Sequence, residues 1–213
     1  MKKPKYTPDV FDIRNLAEAK SVILTPEEKT TTDERWERET PFVVGEIVRL
    51  MEPTADSVIL DYGCGIGRIA RELIRHSGCI VIGVDISVRM RSFARAYVRS
   101  ERFVACSTSE LDRMMQDGCR VDHAYTVWVL QHCADPSSDV ARMACAVGAG
   151  GRLYVVNMHD RRVPTDVGWV DDEQDVNAVI SNQFEPLWTA PLPEDVVSNE
   201  LRDAAACSLW RRP

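Results

Sequence analysis

The stretch VILDYGCGIG, residues 58–67, determines how this chain folds. Its first half is an apolar, β-branched run typical of a buried strand. Its second half places three glycines at alternate positions. Glycine adopts backbone conformations that other residues avoid and lets another group approach the main chain closely. A strand, a glycine turn and then a helical pattern together indicate a ligand-binding loop in a βαβ unit.

The rest of the chain alternates between strand and helix patterns. Apolar runs predict strands at Ser57–Asp61, Cys79–Asp85, Arg102–Cys106, Val121–Val129 and Arg152–Asn157. Helical spacing predicts helices at Trp36–Met51, Ile66–Arg75, Val88–Val98, Leu111–Gln116 and Pro136–Val147. This alternation predicts right-handed βαβ units and a doubly wound α/β fold, with a mostly parallel sheet that is covered on both faces.

The last third of the sequence has a different pattern. Asp171–Asn182 is predicted as a helix, and Glu185–Pro191 and Ala204–Arg211 as two further strands. The prolines in this region suit the edge of a sheet better than its centre.

Composition excludes several classes of protein. The chain has 213 residues and a net charge of −7, whereas a duplex-binding protein usually has a basic excess. No apolar run reaches the length of a membrane span, and the first residues lack the apolar stretch of a signal peptide. We therefore expect a cytoplasmic protein with no DNA or membrane partner.

Two units are expected from the distribution of polar and apolar residues. Residues 1–35 are polar and read as an extension, or a lid, with little core of its own, and residues 36–213 as one domain. The seven cysteines are spread singly. No CxxC pair occurs, so a metal site is not expected.

Two acids bracket the glycine turn and indicate the ligand. Asp61 precedes the first glycine, and Asp85 ends the next predicted strand. An acid at the end of that strand accepts hydrogen bonds from a ribose diol. A carboxylate at Asp61 would repel the pyrophosphate of NAD and would suit an ammonium group instead. S-adenosylmethionine (SAM) carries an amino acid end, a sulfonium and a ribose, and no phosphate, so the charges favour SAM as the cofactor.

The order of these motifs resembles that of the class I SAM-dependent methyltransferases, closest to the small-molecule type 11 and type 12 groups. The matching segments are VILDYGCGIGRIARELI, VIGVDIS, VDHAYTVWVLQH and GGRLYVVN. The resemblance covers about residues 55–157 well and the tail loosely. It implies a Rossmann-like, seven-stranded sheet whose last two strands form an antiparallel hairpin.

The resemblance also implies the residues that bind SAM. Asp61, Gly63, Cys64, Gly65 and Gly67 would surround its amino acid end, Asp85 would hold the ribose hydroxyls, and Ile86 would pack on the adenine. Ser107 and Thr108 stand where the family often has an acid near the adenine amino group, and a hydroxyl is a weaker acceptor there than a carboxylate. Val127 and Trp128 would contact SAM after the fourth strand.

Five further positions have competing interpretations. His132 and His159 are the candidate general bases, although a supporting role for His132 and a surface loop for His159 fit as well. Arg68 can reach the SAM carboxylate or be exposed in the first helical turn, and exposure is the expectation. Arg35 and Trp36 can line a lid, or be a surface arginine and a packing tryptophan, and the second interpretation is the expectation.

Arg161 and Arg162 follow the fifth strand, near the expected acceptor pocket. They can hold a carboxylate or phosphate of the acceptor, or be solvated.

The sequence therefore predicts a SAM-dependent methyltransferase that acts on a small-molecule acceptor. A non-catalytic SAM-binding protein and a protein or RNA methyltransferase are the alternatives. A nicotinamide-dependent oxidoreductase would need a GxGxxG turn, which the sequence lacks. Residues 1–35 are expected to be partly disordered without ligand and to close over bound SAM.

Overall fold

The computed structural model describes residues 4–27 and 30–213. Residues 1–3 and 28–29, which belong to the predicted extension, lie outside the described residues. The strands are β1 (Val58–Tyr62), β2 (Ile80–Val84), β3 (Phe103–Cys106), β4 (Val121–Val127), β5 (Val147–Met158), β6 (Val163–Thr165), β7 (Gly168–Val170), β8 (Glu185–Pro191) and β9 (Ala205–Arg211). The helices are α1 (Leu16–Ile23), α2 (Thr32–Met51), α3 (Arg68–Ser77), α4 (Val88–Val98), α5 (Thr108–Gln116), α6 (Pro136–Ala146), α7 (Val176–Ser181) and α8 (Asn199–Ala204).

One seven-stranded sheet forms the centre of the molecule, in the order β3–β2–β1–β4–β5–β9–β8. The first five of these strands pair in parallel, and β9 is antiparallel to both β5 and β8. The Rossmann-like fold with a C-terminal antiparallel hairpin is thus confirmed. Pro186 and Pro191 lie on β8, the outermost strand, as their chemistry requires.

Helices cover both faces of the sheet, so each central strand is buried on both sides. On β1, Ile59 belongs to the cluster that includes Ile47 of α2 and Leu73 of α3. The next residue, Leu60, belongs to the opposite cluster, which includes Met143 of α6. Full burial of each such side chain contributes about 1.5–3 kcal/mol. Burial on two faces explains why these strands are continuously apolar rather than alternating.

α2 and α7 begin at residues other than the predicted ones, because a polar side chain caps the first turn of each. α2 begins one turn before Trp36, because Thr31 accepts a hydrogen bond from the backbone N–H of Glu34 and the Glu34 carboxylate accepts one from that of Thr31. α7 begins at Val176 rather than at Asp171, because Asp175 caps its first turn.

The N-terminal segment is part of the folded body. Ile13, Ala19 and Leu24 are fully buried, and they form a third cluster with Trp36 and Ile66. The segment is therefore buried against residues of the following domain. The sequence pattern does not predict the burial of these apolar residues, because they meet their partners only in the tertiary structure.

The start of the described chain pairs with a small hairpin formed by β6 and β7. Tyr6 forms a bridge with Thr165, and the Thr7 N–H donates to the Pro164 carbonyl at 3.0 Å. Residues after β5 and residues before α1 are thereby joined above the carboxyl ends of the strands. None of the helices in the described ranges combines the length and hydrophobicity that crossing a bilayer needs.

Candidate cofactor site

The glycine loop joins β1 to α3 at the carboxyl ends of the central strands. Gly63, Gly65 and Gly67 have φ of 83°, 52° and 77°, a region that costs other residues about 1–2 kcal/mol. A Cβ on Gly63 would overlap the Val129 side chain, and one on Gly65 would lie 2.7 Å from Cδ1 of Ile23. The loop therefore exposes bare main chain, which α1 and the segment after β4 approach closely.

Asp85 follows β2 and is hydrogen-bonded to this loop. Its Oδ2 accepts from the Gly65 N–H at 2.9 Å and its Oδ1 from the Ser87 N–H at 2.8 Å. Burial raises the pKa of Asp85, and the two main-chain bonds act in the opposite direction. Each carboxylate oxygen has two lone pairs, so each retains one for a further donor such as a ribose hydroxyl.

Asp61 lies in β1 with only 4% of its surface exposed. Burial raises the pKa of its carboxyl to about 7; the Tyr125 hydroxyl lowers it, Asp85 raises it, and Arg68 lowers it. A carboxyl group with this pKa changes between neutral and charged near physiological pH. A cationic ligand group beside it would favour the charged form.

The side chains next to these acids differ in what they can offer a ligand. Ile86, after Asp85, is 52% exposed, which leaves an apolar side chain free to pack on a ring. The Cys64 thiol is buried and faces β2, close to Gly83. Only the main chain of Cys64 can therefore face a ligand.

The two hydroxyl residues after β3 begin α5. Ser107 caps that helix, since its Oγ accepts from the Glu110 N–H at 3.2 Å and lies 2.7 Å from Glu110 Oε2. Thr108 is the first residue of the helix. The Ser107 hydroxyl is thus already used by the helix cap, a contact that the resemblance did not imply.

Trp128 directly follows β4 in a conformation that is costly for a bulky side chain. Its φ is 62°. The backbone N–H donates to the Val156 carbonyl at 2.8 Å, and the indole Nε1–H donates to Glu39 Oε2 at 3.0 Å. Val127, the last residue of β4, pairs with Val156 in the neighbouring strand.

Two arginines that were expected at the surface are buried behind the loop. Arg68 is 3% exposed, donates to Thr40 Oγ1 at 3.1 Å and stacks on the Trp36 ring. Arg35 is 5% exposed and donates to Glu39 Oε1 at 2.6 Å. Exposure was the wrong expectation for both, because buried acceptors and an aromatic face offset the cost of burying the guanidinium groups. Trp36 packs as expected.

His132 sits in an aromatic group with Phe11 and Trp169. Its ring centroid is 5.8 Å from that of Phe11 and 5.3 Å from that of Trp169. Nδ1 lies 2.6 Å from the Arg162 carbonyl, so Nδ1 carries the proton. Nε2 then accepts from the Gln131 amide at 3.2 Å. Burial lowers the pKa of His132, which favours the neutral ring.

His159 lies apart from that group. It lines a polar cavity of about 250 Å³ together with Asn157 and Asp175. Its backbone N–H donates to the Ala204 carbonyl at 2.8 Å, which fixes the loop after β5. Within the described residues, no hydrogen bond joins His132 to His159, and His132 is not among the residues that line the His159 cavity.

Arg161 is also not a free anion receptor. It is 1% exposed, forms an ion pair with Asp172 at 2.9 Å, and donates to the carbonyls of Leu130 and Cys133. Its exposed neighbour Arg162 supplies the carbonyl that His132 binds. The contacts of Arg161 and the hydrogen bond between Arg162 and His132 stabilise the chain around His132.

Comparison with known proteins agrees with this geometry. Residues 60–155 match the family model described as a methyltransferase domain. This part of the chain is similar to the methyltransferase domain of the class I SAM-dependent methyltransferases. The match agrees with the predicted family and with the enzyme class and cofactor that this family implies.

A curated protein that the chain resembles is Methyltransferase GfsG of Streptomyces halstedii, 28% identical over 165 residues that make up 76% of the chain. The chain spans about half (52%) of the length of that relative.

Solved structures share the fold. N-methyltransferase NodS from Bradyrhizobium japonicum, in complex with S-adenosyl-L-homocysteine (SAH), superposes with a TM-score of 0.65 at 17% identity, covering 84% of this chain and 88% of that one. Geranyl diphosphate C-methyltransferase from Streptomyces coelicolor superposes with a TM-score of 0.65 at 11% identity, covering 100% and 90%.

Sequence reasoning missed three residues that lie close to the glycine loop or to Trp128. Ile23 lies over Gly65, Val129 lies over Gly63, and Glu39 binds the Trp128 indole. Glu39 alone carried a local signal, since it follows Arg35 by one helical turn in a spacing that favours ion pairs. The other two contacts depend on tertiary packing.

Proposed function

We propose that this protein transfers a methyl group from SAM to a small-molecule acceptor. The observation that carries the proposal is the pair of acids at the glycine loop: Asp85 bonded to the Gly65 N–H, and Asp61 buried at the start of the loop. The small-molecule class of the acceptor is supported by relatives such as the geranyl diphosphate C-methyltransferase, whose name states its substrate.

The residues fit SAM at each end of the molecule. Asp61 would pair with the ammonium group, because a buried carboxyl with a pKa of about 7 becomes charged beside a cation. The free lone pairs of Asp85 would accept from the two ribose hydroxyls, and the exposed Ile86 would cover one adenine face. SAM supplies an electrophilic methyl group on a sulfonium, so the protein mainly has to position the acceptor.

The acceptor would contact the aromatic group formed by Phe11 of the N-terminal segment, Trp169 and His132. Gln131 Oε1 accepts from the Met158 N–H at 2.8 Å, which turns the amide nitrogen toward Nε2 of His132. The lone pair on Nε2 of His132 therefore already accepts a hydrogen bond from Gln131. We infer that His132 orients the acceptor as a neutral wall residue, and that a direct role as base requires Gln131 to move.

Calorimetric titration with SAM, SAH and NAD tests the cofactor. We expect both adenosyl ligands to bind, NAD not to bind, and Asp85→Asn to weaken adenosyl binding at least tenfold through loss of charge-assisted hydrogen bonds. Asp117→Asn, an exposed acid after α5, is the matched control. NAD binding tighter than SAM binding would overturn the proposal.

Transfer of label from methyl-labelled SAM tests the acceptor class. Label in the small-molecule fraction of an extract, lost in Asp85→Asn, supports the proposal. Label in protein or RNA would instead support a macromolecular acceptor. Tight SAM binding without transfer to any fraction would support the non-catalytic alternative.

A further inference from the structure

The backbone at Trp128 is held in a conformation that its own sequence disfavours. A bulky side chain at φ 62° is an outlier, and such outliers persist only where the surroundings impose them. Trp128 stands at the carboxyl end of β4, one residue before Val129, whose side chain covers Gly63. The strain is therefore located at the edge of the proposed SAM site.

One side-chain hydrogen bond holds the indole in place. Its Nε1–H donates to Glu39 Oε2 at 3.0 Å. Glu39 is 1% exposed and lies in α2, far from Trp128 in sequence. A buried carboxylate is costly unless it is paired, and a pair of apolar residues of similar volume would often stabilise such a site more. Stability alone thus does not explain an acid at this position.

The same carboxylate is tied to the segment that leads out of α1. Arg35 donates to Glu39 Oε1 at 2.6 Å and to the Thr25 carbonyl at 2.7 Å, and it pairs with Glu27 at 3.0 Å. Glu27 in turn accepts from the Ser198 N–H at 3.1 Å. Thr25 and Glu27 come shortly after Ile23 in the chain, and Ile23 lies over Gly65.

We propose that Glu39 is a positioning residue that links the N-terminal segment to the SAM site. One of its oxygens fixes Arg35, and with it the chain just after α1. The other oxygen fixes Trp128 in its left-handed conformation. Ile23, which lies over Gly65, and Trp128, whose backbone is strained, are thus both held in place through the Glu39 carboxylate. The inference rests on the proposed function, because it assigns the loop to SAM.

The contact itself is tested without any ligand. In protein with ¹⁵N-labelled tryptophan, Trp128→Phe identifies the indole signal of Trp128 among the five tryptophans. We expect Glu39→Met, which keeps the volume and removes the acceptor, to shift that signal. Glu39→Gln, which keeps one acceptor oxygen for the two donors Arg35 and Trp128, should shift the signal less than Glu39→Met does. An unchanged signal in Glu39→Met would overturn the proposal.

A double-mutant cycle on SAH affinity tests the link to the site. We expect Glu39→Met and Trp128→Phe each to weaken SAH binding at least tenfold. Together they should be less than threefold worse than Trp128→Phe alone, since Glu39 acts through Trp128. Glu37→Gln, an exposed acid on the same helix, should bind like wild type. Independent, multiplying effects would overturn the positioning role.

The two ideas fail in different ways. Wild-type protein that binds no SAH would overturn the proposed function and the link to the cofactor together, whatever the indole signal shows. SAH binding that is unaffected in a folded Glu39→Met variant, judged by its thermal unfolding, would overturn the positioning role and leave the proposed function standing. Trp128→Phe leaves the ion pair intact and covers the case in which Glu39→Met does not fold.

Discussion

Asp61 leads to a quantitative prediction about protons. With a pKa of about 7, its carboxyl holds about half a proton at pH 7 and about 0.9 of a proton at pH 6. The ammonium group of SAH beside it lowers the pKa, because an opposite charge favours the carboxylate. Binding should therefore release about half a proton per site at pH 7 and close to one at pH 6.

Calorimetry in buffers of different ionisation enthalpy measures this release, because the observed heat changes with the buffer in proportion to the protons released. Asp61→Asn removes the titrating group. SAH binding to this variant should therefore release fewer protons than binding to wild type, by about half a proton at pH 7 and close to one at pH 6. Asp117→Asn is the control that should behave like wild type. Equal buffer dependence in wild type and Asp61→Asn would refute the reasoning.

The same group sets the direction of two pH effects. SAH affinity should fall as the pH drops below about 7, since the carboxyl must be ionised to pair, and should level off where the carboxyl is protonated in the bound state as well. In the ligand-free protein the folded pKa is raised above the unfolded value of 3.8. The folded state then binds more protons between about pH 4 and 7, and stability falls as pH rises through that range. Asp61→Asn should remove this slope and weaken SAH binding by about 1.5–3 kcal/mol.

Three further predictions concern stability and closure. Gly65→Ala should lower the unfolding temperature more than Gly150→Ala, because both have positive φ but only Gly65 has Ile23 against it; equal shifts would contradict the close contact. Arg161→Met should cost about 3–5 kcal/mol in urea unfolding, against about 0.5 kcal/mol or less for the exposed Arg162→Met; similar losses would contradict its role in the loop. SAH should slow proteolytic cleavage within residues 4–27, and Ile23→Ala should reduce that protection; equal cleavage with and without SAH would count against closure.

The central fold followed from local patterns because the glycine loop and the two acids are set by short-range geometry. Strand, turn and helix follow one another within a few residues, so Asp61 and Asp85 could be placed at neighbouring strand ends before the structure was known. Pro186 and Pro191 predicted the edge strand by the same kind of local rule, since proline cannot donate a hydrogen bond to a neighbour.

The N-terminal half of the site could not be predicted in this way. Polar and apolar residues are mixed between Ile13 and Leu24, and their partners Trp36 and Ile66 lie outside this segment. Arg35 and Arg68 looked like surface residues because charge is normally solvated. Their burial depends on acceptors such as Glu39 and Thr40, whose orientation only the packed helices establish.

The position of β9 has a consequence for synthesis on the ribosome. β9 lies between β5 and β8, yet it is made after both. Until residues 205–211 leave the exit tunnel, β5 keeps an open edge of unpaired main-chain groups and β8 has no partner in the sheet. Open, apolar edges of this kind attract other chains. Nascent chains paused before residue 205 should thus aggregate or recruit chaperones more readily than chains released after it.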